Sequence, residues 1–149
     1  SEEAFFEKAE PYIDSVVKTP CNKALLAQVL HQRCELMSDI PEQIDFIDEM
    51  PEYDLAMYTN KKMKTTAETA KEALEAIMPV LEAIPADGFT REAEHDNLFA
   101  LSEENGFMLW PLRVAVSGKQ FTPGGGIELA AVLGKEKAVA RVKAAIQRL

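Results

Sequence analysis

Only two cysteines and two histidines occur among the 149 residues, which removes most routes to metal, redox or proton-relay chemistry before any pattern is read. Cys21 and Cys34 lack C-x-x-C spacing and lie in or beside helical patterns, so they read as free thiols of a reducing compartment. His31 and His95 each stand alone, and no H-E-x-x-H, EF-hand loop or Ser/His/Asp set occurs. No apolar run approaches the roughly 18 residues of a membrane span. The opening "SEEAFFEKAE" is acidic where a secretory or transit peptide is basic, so the expected compartment is the cytoplasm. No alternating β-branched run is long enough for a sheet, and there is no internal repeat. What these absences leave is an all-α chain without a catalytic constellation.

Hydrophobic residues make up 47% of the chain and charged residues 28%, as in an ordinary globular protein of one domain or two small ones. The net charge of −9 opposes non-specific attraction to phosphate. That charge is uneven. Residues 1–109 hold 9 lysines and arginines against 23 aspartates and glutamates, whereas residues 110–149 hold 7 against 2. A basic C-terminal face on an acidic body is where a polyanion would bind, although a solvated helix surface has the same composition.

Three-and-four spacing of apolar residues predicts helices along nearly the whole chain. The first, "EEAFFEKAEPYIDSVV", contains Pro11 as a predicted kink. Thr19-Pro20 reads as an N-cap and first-turn proline for "CNKALLAQVLHQRCEL", and Ser38 as the cap of "DIPEQIDFIDEM". "MPEYDLAMYTNKKMK" breaks the periodicity and is the predicted junction. Thr65 and Thr66 open "AETAKEALEAIMPVLEAI", bent by Pro79, and Thr90 caps "REAEHDNLFALSEEN", ended by Gly106. Pro111 starts "PLRVAVS", Gly118 stops it, and "GGIELAAVL" and "KEKAVARVKAAIQRL" flank Gly134. The acidic residues spread over these helix surfaces as solvating and capping groups, and the six methionines fall in stripes or junctions as core filler.

The stretch "SGKQFTPGGG" invites comparison with a phosphate-binding P-loop and fails it. A P-loop places a glycine before the lysine and a hydroxyl after it; here Arg113 stands at the first glycine position and Gln120 follows Lys119. Two arginines remain of interest, Arg33 at the end of an amphipathic helix and Arg113 in the first turn of the short helix feeding this loop. Each could be a surface cation. A guanidinium is also the side chain best shaped to read a base edge, and a glycine loop lets a nucleotide approach the backbone. Trp110 reads as a buried anchor.

The segment "WPLRVAVSGKQFTPGGGIELAAVLGKEKAVARVKAAI" resembles the end of bacterial glutamyl-tRNA synthetases, with their P-L-R-x-A-[LV]-[ST]-G-K motif, T-P-G loop and leucine-glycine-lysine-glutamate turn. "HQRCELMSDIPEQIDFI", "EYDLAMYTNKKMK" and the helix after Thr90 follow the family in order, so the resemblance covers essentially all the chain. It implies an all-helical anticodon-binding region of two subdomains, divided here as residues 1–55 and 56–149. The H-I-G-H and K-M-S-K-S signatures of the catalytic domain are absent, so the implied chain is a non-catalytic fragment whose parent uses ATP and magnesium to charge tRNA. Carried over residue by residue, Arg33 matches the arginine that discriminates the third anticodon base. Arg113, Thr122, Pro123 and Gly124 match anticodon contacts, and Lys119 nearby is expected to meet phosphate. After T-P-G some relatives have a bulky apolar residue where this chain has Gly125, and relatives usually have about four more residues between Phe107 and Met108. The implied partners are glutamate-accepting tRNA and the catalytic domain, the expected state is a monomer, and the alternative reading is a helical protein-interaction module without nucleic-acid binding.

Overall fold

A computed structural model describes residues 2–33, 35–62, 64–104 and 109–149. The expectations placed on Cys34, Met63, Gly106 and the Phe107–Met108 junction lie outside these described residues. The chain folds into α1 (Glu2–Val16), α2 (Lys23–Arg33), α3 (Ile40–Gln43), α4 (Ala67–Ala83), α5 (Arg91–Glu104), α6 (Leu109–Ser117), α7 (Gly126–Leu133) and α8 (Lys135–Arg148). Among the described residues the only extended pairing is one isolated antiparallel bridge, Asn60 to Thr65. The all-α expectation is met. No helix among the described residues is long and apolar enough to cross a membrane.

The helix α7, "GIELAAVL", organises the packing. A helix that is apolar on every side must be enclosed by others, and Leu129, Ala130, Ala131, Val132 and Leu133 are all buried. α7 contacts α2, α5, α6 and α8, while α4 packs along α8 and α1 along α2. Helices from both sides of residue 55 therefore share one contiguous apolar core, from Ile13 and Leu26 through Leu74 to Val142. Fully burying each large aliphatic side chain contributes about 1.5–3 kcal/mol.

Helix ends follow local chemistry, with three departures from the sequence reading. Thr66 caps α4 and exchanges bonds with Thr69, which donates its amide to Thr66 Oγ1 (3.2 Å) while the Thr66 amide donates to Thr69 Oγ1 (2.8 Å). Thr90 caps α5 by accepting from the Ala93 amide at 3.1 Å. Gly118 and Gly134, at φ of 66° and 88°, end α6 and α7 in the left-handed region that glycine enters at least cost. The first departure is α2, which begins at Lys23 because Asn22 Oδ1 accepts from the Leu25 amide (3.1 Å). Thr19 is not its cap; the Thr19 hydroxyl donates to Asp48 Oδ1 at 2.6 Å. The second is the segment 39–50, where Ser38 lies inside a short 3-10 turn and the α-helix lasts only from Ile40 to Gln43. The third is Thr65, whose hydroxyl turns inward to the Tyr58 carbonyl (2.6 Å) and leaves Thr66 alone to open α4.

Carbonyls within and after α3 are taken by cations from far along the chain: Glu42 O, which a longer helix would offer to the Phe46 amide, accepts from Lys119 Nζ (2.6 Å), and Ile47 O accepts from Lys137 Nζ (2.9 Å) and Arg141 Nη2 (3.0 Å). Arg141 Nη1 also holds Val116 O (2.7 Å), Lys135 holds Glu82 O (2.7 Å), and Arg148 holds Tyr53 O (3.1 Å) with its guanidinium over the Tyr53 ring. Most of the basic excess of residues 110–149 is thus directed at backbone oxygens within the protein. It ties helices together where composition alone suggested a polyanion surface.

Glu94 on α5 is fully buried, and neither carboxylate oxygen has a hydrogen-bond partner. Burial pushes its pKa up to about 9, from an ordinary 4.5. Between those values the unfolded chain releases the proton that the folded chain keeps, so the contribution of Glu94 to stability is fully present below pH 4.5 and falls as pH rises towards 9. Denaturant unfolding between pH 5 and pH 8 is expected to show a loss of up to about 1.4 kcal/mol per pH unit from this group. Glu94→Gln is expected to flatten that slope and Glu94→Met to raise stability at pH 8. A wild-type slope unchanged in Glu94→Gln would place the titration elsewhere.

Candidate anticodon-reading surface

α6 and α7 meet at a very short distance because residue 126 has no side chain. A Cβ there would lie 2.9 Å from the Arg113 amide and 3.0 Å from Leu112 Cβ. This contact fixes the loop between the helices, residues 118–125, against the first turn of α6. Within the loop the Thr122 hydroxyl donates to the Gly124 carbonyl, and Pro123 and Gly124 are buried. Arg113 Nη1 donates to the Gln120 carbonyl (3.2 Å), and the guanidinium also lies 5.7 Å from the centre of the Trp110 ring. Trp110 is only partly buried, with Nε1 donating to Met57 O at 3.0 Å. The anchor expected at this position is thus also a wall of the surface.

Glu128 is where the surrounding cations converge. Its position in the first turn of α7 suits a carboxylate, since the helix N-terminus is the positive end of the dipole. Oε1 accepts from the Gly125 amide (3.2 Å), the acidic half of a capping box that glycine cannot reciprocate. Arg91 Nη1 lies 3.5 Å from Oε2, and Arg33 Nη2 lies 3.9 Å from Oε1. Burial, and then the neighbouring Arg33 charge, pull the Arg113 guanidinium below its ordinary pKa, while Glu128 opposes the shift. Arg33 and Arg113, separate in sequence, are therefore electrostatic neighbours. A guanidinium still keeps its charge under such a shift, and its unused donors remain available.

Glu128, Arg91, Arg113 and Gly125 line a cavity of about 710 Å³, with Arg33 reaching Glu128 from outside the lining. Trp110, Phe121 and Ile127 supply apolar surface, and Arg91, Arg113 and Lys62 supply positive charge. Chemically this is a surface for a flat, unstacked ring attached to a polyanion, because aromatic faces stack on bases while guanidiniums meet base edges and phosphates. No group of three or more histidine, cysteine, aspartate or glutamate side chains among the described residues could hold a metal ion.

Of the sequence-predicted site residues, the structure brings Arg33 and Arg113 together around Glu128. Thr122, Pro123 and Gly124 lie in the adjoining loop, but the two buried residues are not presented to solvent. Lys119 lies in the same loop, with its ammonium directed at the Glu42 carbonyl and the Asp45 carboxylate. His31 is not in this cluster; it stacks on Phe5 with ring centres 4.6 Å apart. Sequence reasoning missed Arg91, Glu128, Phe121 and Lys62. Glu128 left a signal, being the acidic residue three positions after the loop glycine that caps α7. Lys62 was visible only as part of a break in periodicity. Arg91 and Phe121 left none.

Comparison with known proteins places the chain by sequence and by fold. The family model described as an anticodon binding domain matches residues 4–146. A glutamate–tRNA ligase of Clostridium tetani is 47% identical over 151 aligned positions, covering 99% of this chain and 30% of that protein. One from Clostridium botulinum strain Eklund 17B is 44% identical, covering 97% of this chain and 31% of its own length. The chain thus spans less than a third of these relatives. In fold it is similar to part of a glutamate tRNA ligase from Elizabethkingia meningosepticum, with a TM-score of 0.73 at 21% identity over 100% of this chain and 30% of that one.

The close approach of α7 to α6 is testable without a ligand. Gly126→Ala forces a Cβ against backbone and is expected to cost about 1–3 kcal/mol of stability. Gly125→Ala places its Cβ in open space, so its expected cost is limited to about 0.5–1 kcal/mol, the amount by which alanine caps a helix less well than glycine. Denaturant melts of the two variants, side by side, check the contrast.

Proposed function

Because this chain belongs to the anticodon binding domain family, we propose that it reads the anticodon of glutamate-accepting tRNA, as the part of a glutamate–tRNA ligase that lies beyond its catalytic domain. The observation that carries the reading is that Arg33 pairs with Glu128, which itself lines an aromatic-walled cavity together with Arg113, Trp110 and Phe121. A protein-interaction module would place no such demand on two arginines from separate helices. On this reading Arg33 and Arg113 present their forks to base edges, oriented by Glu128 and the Gln120 carbonyl. Thr122, Pro123 and Gly124 shape the turn, and Lys119 adds positive potential towards phosphates. The partners are the tRNA and the catalytic domain of the same enzyme, which would bind ATP and magnesium; the chain acts as a monomer in the cytoplasm.

Binding energy in this scheme comes from a few guanidiniums and ring surfaces, so the slope of log affinity against log salt is shallow. The deciding measurement is affinity at fixed salt for anticodon stem-loops that differ at the third anticodon base. Arg33→Ala is expected to lose about 1–3 kcal/mol of discrimination at that position. Arg113→Ala is expected to weaken cognate binding, whereas Lys119→Ala should weaken cognate and non-cognate RNA nearly equally, since a phosphate contact carries no sequence information. An equal loss across all variants for Arg33→Ala would reduce that residue to a positioning cation and remove the basis for base reading here.

A further inference from the structure

The loop of residues 118–125 hides its proline and one glycine and exposes its one aromatic ring. Phe121 is 87% exposed, more than any other large hydrophobic residue among the described positions. Its backbone is fixed on both sides: the preceding carbonyl, of Gln120, accepts from Arg113, and the following residue, Thr122, closes onto Gly124. A single exposed apolar side chain is ordinary on a protein surface; what distinguishes Phe121 is a braced backbone and a place on the wall of the cavity lined by Trp110 and Arg113.

The surroundings narrow what could cover it. Phe121 lines the same cavity as Trp110, Arg113 and Lys62, and across the loop Gly125 has nothing within 4 Å of where a Cβ would be. A ring-sized gap beside an exposed phenyl, bordered by cations, suits a nucleobase carried on a phosphodiester chain. A protein partner is a poorer match, because a specific interface buries on the order of 1,000 Å² or more and is depleted of charge at its centre. We propose that Phe121 is a stacking platform for one unpaired base of the RNA loop, held between its ring and the surface bearing Trp110 and Arg113. This rests on the RNA-reading role assigned above and adds a residue that contacts a base face, where the arginines contact edges. Stacking tolerates any base, so Phe121 supplies affinity and fixes the loop's path while the arginines supply choice.

The test uses the 149-residue chain and the anticodon stem-loop of a glutamate-accepting tRNA, intact and with each loop nucleotide in turn made abasic. Affinities are read by anisotropy at one salt concentration. Phe121→Ala is expected to weaken binding to the intact loop by about 5- to 100-fold, and Phe121→Trp to stay within about twofold of wild type. For one abasic RNA, and that one alone, wild type and Phe121→Ala should bind equally, which identifies the stacked base. Wild-type binding to the intact loop that Phe121→Ala leaves unchanged overturns the proposal. So does a penalty of the same size on every abasic RNA, because Phe121 would then act on loop shape or on a protein contact. A wild-type chain that does not bind the intact stem-loop overturns the RNA-reading role itself, and this inference with it.

Discussion

The Glu128 carboxylate is the interaction on which the arrangement of this surface depends. It receives the Gly125 amide and stands between Arg33 and Arg91, with Arg113 close enough to feel the Arg33 charge. Without an anion at this point the guanidiniums would repel one another across a partly buried rim, where repulsion is stronger than in open water. With it they are held near each other while the local charge stays positive. The carboxylate can occupy this place because α7 is otherwise apolar and central, so its first turn is the point where the buried helix meets solvent. Core packing and the positions of the guanidiniums are set by the same eight-residue helix.

A second constraint is less visible from composition. The C-terminal cations bind carbonyl oxygens, and these bonds connect α6 and α8 to the turns after α3 and before α4. Asp48 makes the reciprocal contact, accepting from the Lys18 and Thr19 amides and the Thr19 hydroxyl. These hydrogen bonds lower its pKa although partial burial alone would raise it. Charge counted along a sequence therefore overstated the surface available to a polyanion. The positive groups left facing the cavity are few and local, in agreement with a site that depends on fit more than on long-range attraction.

What could be read from the sequence followed from local physics. Apolar spacing gave the long helices, and threonine at positions 66 and 90 gave their starts, because a cap depends on a few neighbouring residues. Thr19 misled because a hydroxyl can cap a helix or bind a carboxylate, and Asp48, distant in sequence, took it. Over residues 39–50 the carbonyls of Glu42 and Ile47 are taken by donors from the 118–125 loop and from α8, which no local pattern reveals. Arg33 and Arg113 stood out as guanidiniums beside a helix end and a glycine loop, and the resemblance gave them roles; only the packing of α2, α6 and α7 brings them close enough to feel each other's charge. Phe121 was unreadable in principle: a phenylalanine in a loop is ordinarily buried, and only the closure of that loop on Arg113 and Gly124 turns it outward.

The cation-to-carbonyl ties also bear on the order in which the protein can be made. Ile47 is bound by Lys137 and Arg141, 90 and 94 residues further along the chain, and Thr19 receives Lys137 across 118 residues. During synthesis α1 to α3 emerge well before the donors that reach Thr19 and Ile47, and before α7, the helix they help enclose. Early helices can form and pair locally, but their enclosed arrangement cannot close until α8 has left the ribosome. Contacts of such sequence separation slow folding relative to a bundle of nearest neighbours. Until that closure the face of α2 that packs on α7 stays uncovered, and transiently exposed apolar surface of this kind is where a folding chain is most prone to aggregate.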